Sequence, residues 1–145
     1  PDTVEAIKEL RKYTKCVMLT NTDRDIARAT LSNAGIEVDD IITAEDAGCY
    51  KPSHGGFLLS QKKLGLTADE MMHAGFGFKY DVIPGNELGY RTIWVNRQGI
   101  VRPIDDVSGE QLKYCKEDIL CGDLQTLAYI IKGMHQTDIE NGFVD

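Results

Sequence analysis

The sequence lacks long apolar stretches and an excess of cationic residues, and both absences narrow the functions open to it. No apolar run approaches the ~18 residues that a membrane-spanning helix needs, so a membrane is not an expected partner. The chain contains 23 Asp and Glu against 16 Lys and Arg, which gives a formal net charge of -7. Nucleic acid is not an expected partner either, because its binding depends mainly on cationic contacts with phosphate.

Paired cysteines and targeting signals are also missing. The four cysteines include no C-x-x-C pair, and no histidine stands near them at the spacing of zinc ligands. They are Cys16, Cys49, Cys115 and Cys121. We interpret them as free thiols, which favours a reducing, cytoplasmic compartment. No signal peptide is visible, and the chain opens on Pro1 without an initiator Met. We therefore expect it to be processed, cut or taken from something longer.

What the sequence does contain is an alternation of short apolar runs and amphipathic segments over 145 residues. The runs predict strands at 16–19, 40–43, 71–74, 92–95 and 119–121. The amphipathic segments predict helices at 1–13, 24–33 with Asp23 as cap, 57–64, 82–88 and 124–134. Residues 44–53 are predicted to be a loop, 67–70 a capping box or a single helical turn, and 99–115 has no clear pattern. This alternation predicts one α/β domain, a parallel sheet with helices on both faces.

Polar residues follow the first of these strands directly. Thr20 and Asn21 supply a hydroxyl and an amide beside the free backbone N–H groups of the next helix. Such a turn can hold an anion. The alternative is a plain helix-capping turn, because Thr, Asn and Asp are common caps.

A lysine follows the second strand after a loop. Pro52 restricts Lys51 to an extended conformation, so the lysine is presented in a defined direction. There it can neutralise a carboxylate or a phosphate as a point charge. The alternative is a solvated surface lysine, as most lysines are.

The stretch from Met71 to Arg97 carries the strongest signal. It reads as an apolar strand, a glycine-rich turn, a short helix and a second apolar strand. Asp81 begins the predicted helix, where it can hold a Mg²⁺ ion, orient a lysine or cap the helix. His73 lies within the apolar strand, and we interpret it as a hydrogen-bonded core histidine.

In this order the pieces resemble the haloacid dehalogenase superfamily, closely over residues 1–97 and loosely beyond. In that family a Ser or Thr ends the second core strand, which Thr20 matches, and Lys51-Pro52 match a later Lys that is often followed by Pro. A Gly-Asp turn with a second Asp binds magnesium, and Gly75 and Asp81 match the Gly and the second Asp. The run YDVIPGNELGYRTIWVNR and the Asn after Thr20 are similar to the branch that includes 2-haloacid dehalogenases and their phosphatase-like relatives.

Two departures from the family pattern bear on the chemistry. Phe76 stands where the first Asp of the magnesium turn would be, and losing an anionic ligand weakens Mg²⁺ binding. The dehalogenase branch lacks this acid and works without magnesium, so Mg²⁺ is possible here but not certain. The nucleophilic Asp of the family ends a first strand that precedes a cap insertion, and no strand of this sequence ends in such an aspartate. Asp39 and Asp40 precede a strand and cannot replace it.

The resemblance therefore implies a three-layer, Rossmann-like core without its first, central, nucleophile-bearing strand. Residues 1–145 would be the carboxyl-terminal portion of one core domain, with the cap and the first strand outside the chain. Without the central strand, its neighbours would have buried unpaired backbone groups. The expected partner is the missing amino-terminal half, on another chain or in a region of the gene product outside this sequence.

The implied function is hydrolysis of a small anionic substrate through an aspartyl ester, by a dehalogenase- or phosphatase-like enzyme whose nucleophile lies outside the chain. Thr20 and Asn21 would hold the substrate anion or the intermediate. Lys51 would orient and neutralise the nucleophile, and Asp81 would position Lys51 or a weakly bound metal. The alternative, favoured by Phe76 and the missing nucleophile, is an inactive relative that binds a ligand or a partner in the same cleft.

Overall fold

The computed structural model describes residues 2–101 and 109–144, apart from the side chains of residues 111 and 112. Helices and strands alternate along the chain. The helices are α1 (Asp2–Leu10), α2 (Arg24–Ala34), α3 (Ala44–Ala47), α4 (Gly55–Leu64), α5 (Ile83–Glu87) and α6 (Leu124–Glu140). The strands are β1 (Val17–Thr20), β2 (Asp40–Thr43), β3 (Met72–Gly75), β4 (Arg91–Val95) and β5 (Ile119–Cys121). The predicted α/β class is therefore confirmed.

The strand pairs that the structure describes are all parallel, and they belong to two separate sheets. β1 pairs with β2, and a separate sheet has the order β3-β4-β5. The last residues of β1 and β2, Thr20 and Thr43, are partners in register, and Gly75 at the end of β3 is the partner of Trp94. Among the described residues, β1 and β3 each have one strand neighbour. Two parallel sheets agree with the expected parallel sheet that lacks its central strand.

Helices cover both faces of the β3-β4-β5 sheet because successive residues of β4 point to opposite sides. Ile93 and Val95 pack in a buried cluster with α1 and α6, which includes Leu10, Leu127 and Ile131. Trp94 faces the other way and packs in a second cluster with Phe78, Val82 and Ile83.

Helix α4 connects the two sheets. It contacts both β1 and β2, and its Phe57, which is almost fully buried, clusters with Met71 and Tyr90 next to the second sheet. Leu19 of β1 packs against the same cluster. Apolar packing on α4 therefore links the two sheets, which share no strand pairing among the described residues.

Several predicted elements differ from the observed ones in ways that have local causes. Residues 44–47 form a helix instead of a loop, because the Thr43 side chain accepts a hydrogen bond from the backbone N–H of Asp46 in a capping box. Asp23 is the N-cap of α2, as predicted, but its side chain makes no capping hydrogen bond. α6 continues to Glu140, beyond the predicted end at residue 134. The segment 102–108 of the patternless stretch lies outside the described residues.

In the part of the chain that the structure describes, no helix has both the length and the apolar character needed to cross a membrane.

Candidate active site

The site centres on Asp81, which a glycine-rich turn folds back onto β3. The segment Phe78–Val82 is a π-helical turn that leads into α5, so helical structure starts four residues before the predicted first residue, Val82. A side chain on Gly75 would place its Cβ 2.4 Å from Asp81 Cγ, and one on Gly77 would come within 2.9 Å of Asp81 Oδ2. The two glycines therefore provide the space in which the carboxylate lies.

Three donors satisfy the Asp81 carboxylate. Lys51 Nζ donates to Oδ1 at 2.6 Å, and His73 Nε2 lies 2.8 Å from the same oxygen. The backbone N–H of Gly77 donates to Oδ2 at 3.1 Å. Because an ionised carboxylate can only accept hydrogen bonds, the His73 nitrogen that faces it carries the proton. Both oxygens of Asp81 are thus engaged by groups of this chain.

The electrostatic balance keeps Asp81 ionised at neutral pH. Burial of the side chain raises its pKa, since desolvation penalises the charged form. The hydrogen bond and charge of His73, followed by the charge and hydrogen bond of Lys51, lower the pKa by more. The net pKa lies below the ordinary value for aspartate, so this buried residue is a fixed anion and not a proton donor.

Asn21 holds the backbone of Lys51 at the ends of β1 and β2. Its Oδ1 accepts the Lys51 N–H at 2.7 Å, and its Nδ2 donates to the Lys51 carbonyl at 3.3 Å. The Lys51 side chain is only 15% exposed, so it extends inward toward Asp81 and not into solvent. Hydrogen bonds between Asn21 and Lys51 and between Lys51 and Asp81 therefore connect the edge of one sheet to the edge of the other.

Thr20 makes local contacts. Its hydroxyl lies 2.9 Å from the Thr22 hydroxyl and accepts the Thr22 N–H at 3.1 Å. These bonds stabilise the turn after β1. The substrate-binding roles of Thr20 and Asn21, and the catalytic role of Lys51, stay predictions.

Phe76 presents its ring to solvent at the carboxyl end of β3. The side chain is 81% exposed, whereas its carbonyl accepts a hydrogen bond from Trp94 Nε1 at 3.0 Å. The Phe76 backbone is thus held in place by this hydrogen bond. Where the family pattern has an acidic side chain, this chain has an exposed aromatic ring.

The described residues of this chain do not form a magnesium site by themselves. Among them, no group of three or more His, Cys, Asp or Glu side chains could hold a metal ion. Asp81 is the acid at the predicted metal position, and its oxygens already accept three hydrogen bonds. Mg²⁺ requires near-octahedral oxygen ligands, which this arrangement does not offer.

Sequence reasoning placed Lys51 and Asp81 together, and the structure brings them into contact. It missed His73, which was interpreted only as a core residue. The available signal was a polar residue within the apolar run MMHAG, two residues before Gly75. Residues two apart in a strand share a face, so His73 and the space above Gly75 lie on the same side of β3.

Comparison with known proteins identifies one family for this chain. Residues 1–89 match the family model of haloacid dehalogenase-like hydrolases. The chain is 30% identical over 96 residues to the glyceraldehyde 3-phosphate phosphatase of Methanocaldococcus jannaschii, covering 66% of this chain and 39% of that protein. It is 26% identical over 103 residues to the human N-acylneuraminate-9-phosphatase, covering 69% of this chain and 42% of that protein. The chain thus spans only about two fifths of the length of these relatives.

Solved structures agree on the fold. A HAD phosphatase from Thermococcus onnurineus superimposes with a TM-score of 0.74 at 25% identity, covering 90% of this chain and 57% of that one. The L-2-haloacid dehalogenase of Xanthobacter autotrophicus superimposes with a TM-score of 0.76 at 21% identity, covering 92% of this chain and 61% of that one.

Proposed function

This chain belongs to the haloacid dehalogenase-like hydrolase family, and we propose that it supplies the lysine and aspartate of a hydrolytic site for small anionic substrates. The observation that supports this proposal is the Lys51–Asp81 contact between the carboxyl edges of β2 and β3. Ligands of open α/β sheets bind outside the carboxyl ends of the strands, which is where this ion pair lies.

Each of the site residues in this chain would have a distinct role. Asp81 fixes one donor of the Lys51 ammonium, and an ammonium has three. The remaining N–H groups of Lys51 would face the nucleophilic carboxylate and the substrate anion. Asn21 would set the backbone position of Lys51, and the Thr20 hydroxyl would contact the substrate or the intermediate.

We assign the nucleophile to the rest of a longer protein, as one strand inserted between β1 and β3. The five strands of the described residues end in Thr20, Thr43, Gly75, Val95 and Cys121, none of them an aspartate. Within that part of the chain, β1 and β3 each have one strand neighbour. A parallel strand with Asp at its carboxyl end would pair with both and bring its carboxylate toward Lys51.

The proposed reaction has two steps. The aspartate oxygen attacks the substrate carbon and forms a C–O bond while halide leaves with the bonding electrons. In the phosphatase version it attacks phosphorus, the P–O bond to the alcohol breaks, and the leaving oxygen takes a proton from water. Water then adds to the ester, and its cleavage returns the carboxylate and releases a hydroxy acid or phosphate. The Lys51 cation would stabilise the attacking carboxylate and the developing negative charge. We place this chemistry in a reducing cytoplasm, in keeping with four free cysteines.

The second candidate is a non-catalytic relative that binds an anion in the same cleft. The observation that favours it is the state of Asp81, the one acid that the described residues bring to the site, whose two oxygens are engaged by Lys51, His73 and Gly77. Asp81 therefore cannot act as nucleophile, and a protein without the additional aspartate would bind without turnover.

The test uses the complete gene product with 2-chloropropionate and p-nitrophenyl phosphate, measuring halide and phosphate release. We expect release of one product by the wild type, its loss in Lys51→Met, and its retention in Lys62→Met. The second variant removes a lysine from the last turn of α4, away from the site. Binding of either compound without product release would support the second candidate. Equal activity of wild type and Lys51→Met would reject a functional site at Lys51.

A further inference from the structure

We propose that His73 is the positioning residue of this site: its Nε2–H holds Oδ1 of Asp81 and thereby fixes the direction of the Lys51 ammonium. This inference rests on the proposed function, because it concerns how the same site is aligned. No motif of the sequence identified His73 for this task.

The contact geometry supports a shared acceptor. Lys51 Nζ and His73 Nε2 lie 2.6 and 2.8 Å from the same Asp81 oxygen, and Gly77 N–H occupies the other oxygen. With donors on both oxygens, the carboxylate plane cannot rotate without breaking a hydrogen bond. Removing His73 would leave the flexible Lys51 side chain as the one donor to Oδ1, with the Gly77 N–H still on Oδ2. Oδ1 would then have no rigid donor to fix the direction of the ammonium.

His73 is itself held in place. It lies on the same face of β3 as Gly75, where the missing side chain leaves space for Asp81. Its ring packs edge-on against Phe57, with centroids 4.8 Å apart and planes at 67°. Its side chain is 15% exposed. Because His73 lies on a strand and packs against the buried Phe57 ring, its Nε2 has little freedom to move. It can therefore fix the position of the Asp81 carboxylate, which comes from a turn.

Two substitutions in the complete protein separate positioning from packing. His73→Gln keeps an N–H donor of similar reach but loses the ring, whereas His73→Phe keeps the ring but loses the donor. We expect His73→Phe to lower kcat about 10²-fold with little change in KM, since small misplacements of aligned groups have effects of that order. We expect His73→Gln to recover most of kcat. Retained kcat in His73→Phe, or loss in both variants while thermal melting confirms folding, would overturn the proposal.

NMR spectroscopy tests whether His73 donates a hydrogen bond to Asp81 without any measurement of turnover. Long-range ¹H–¹⁵N correlation spectra of the wild type report which ring nitrogen of His73 carries a proton. We expect a proton on Nε2, at the nitrogen that faces Asp81, and its absence there would overturn the proposal. If the wild type releases neither halide nor phosphate, the proposed function fails, and the spectrum still decides whether His73 donates to Asp81.

Discussion

The Lys51 ammonium lies 2.6 Å from the Asp81 carboxylate although thirty residues separate the two in sequence. Both side chains are mostly buried, with exposed fractions of 15% and 6%. A pair this close and this shielded from water interacts far more strongly than an exposed ion pair. Asp81 thereby holds a cation at the carboxyl edge of the sheets, where open α/β folds bind their ligands.

The first prediction concerns Lys51. Replacement by Met keeps most of the side-chain stem, and His73 and Gly77 still satisfy Asp81, so the fold should be retained. Turnover should fall about 10²-fold or more, the range for removing one group that stabilises developing charge. Steady-state kinetics and thermal melting of Lys51→Met, with Lys62→Met as the charge-matched control, check this. Similar losses in the two variants would contradict a specific role for Lys51.

The second prediction concerns Gly75. An alanine there would place its Cβ 2.4 Å from Asp81, so the carboxylate must move or the turn must open. We expect Gly75→Ala to reduce the free energy of unfolding by about 1–3 kcal/mol, as for other overpacked sites, and to abolish turnover. Gly122→Ala is the control, because a Cβ there meets no heavy atom within 4 Å. Urea unfolding of the complete protein gives the unfolding free energy of the two variants, and the halide and phosphate assays give their turnover. Equal stability of the two variants would argue against the close packing.

The third prediction concerns the pH dependence of stability. The pKa of Asp81 is lower in the folded chain than in the unfolded chain, so its stabilising contribution is present above the unfolded value of ~4. The contribution is lost as the pH falls through the lower, folded-state pKa. Asp81→Asn should therefore reduce the unfolding free energy by about 1–3 kcal/mol at pH 7, with a shrinking difference below pH ~4.

Urea unfolding of the complete protein, as wild type and as Asp81→Asn, between pH 3 and pH 7 measures this difference. Asp25→Asn changes an exposed carboxylate in the first turn of α2 and should alter stability at pH 7 by less than about 0.5 kcal/mol. A difference between wild type and Asp81→Asn that stays constant across the whole range would contradict a lowered pKa of Asp81 in the folded chain.

The fourth prediction concerns metal. With Phe76 in place of an acid, activity of the complete wild-type protein should persist in chelator. Phe76→Asp adds a carboxylate oxygen at the end of β3 and should create a Mg²⁺-dependent rise in melting temperature, because a ligand that binds only the folded state stabilises it. Tyr129→Asp is the matched control, since it also replaces an exposed aromatic residue, at 80% against 81% exposure. Loss of wild-type activity in chelator, restored by Mg²⁺, would show the prediction to be wrong.

The fifth prediction concerns the 145 residues expressed alone. Because β1 and β3 are each paired on one side only among the described residues, exposed backbone edges should make this polypeptide poorly soluble or partly unfolded. It should also lack turnover, since its described strands offer no nucleophilic aspartate. Calorimetry and the same two assays test this. A cooperative melting transition together with product release by the 145 residues alone would refute both parts.

Local sequence patterns were sufficient for the elements and for most of the site. The bounds of β2 and β5 agree with the prediction at both ends, because short β-branched and apolar runs between polar turns have few alternatives. The meeting of Lys51 and Asp81 also followed from the sequence. Each comes after a different parallel strand, and the carboxyl ends of such strands lie at one edge.

Other features depended on contacts that no local pattern encodes. The sequence alone determined the α/β alternation, the parallel strands and the edge at which polar residues gather. Only the tertiary structure decided that Asn21 holds the Lys51 backbone and that His73 pairs with Asp81. The physical reason is that propensity and periodicity act between neighbours in sequence. Which donor reaches which oxygen depends on strand register, on the path of the π-helical turn and on the space above Gly75.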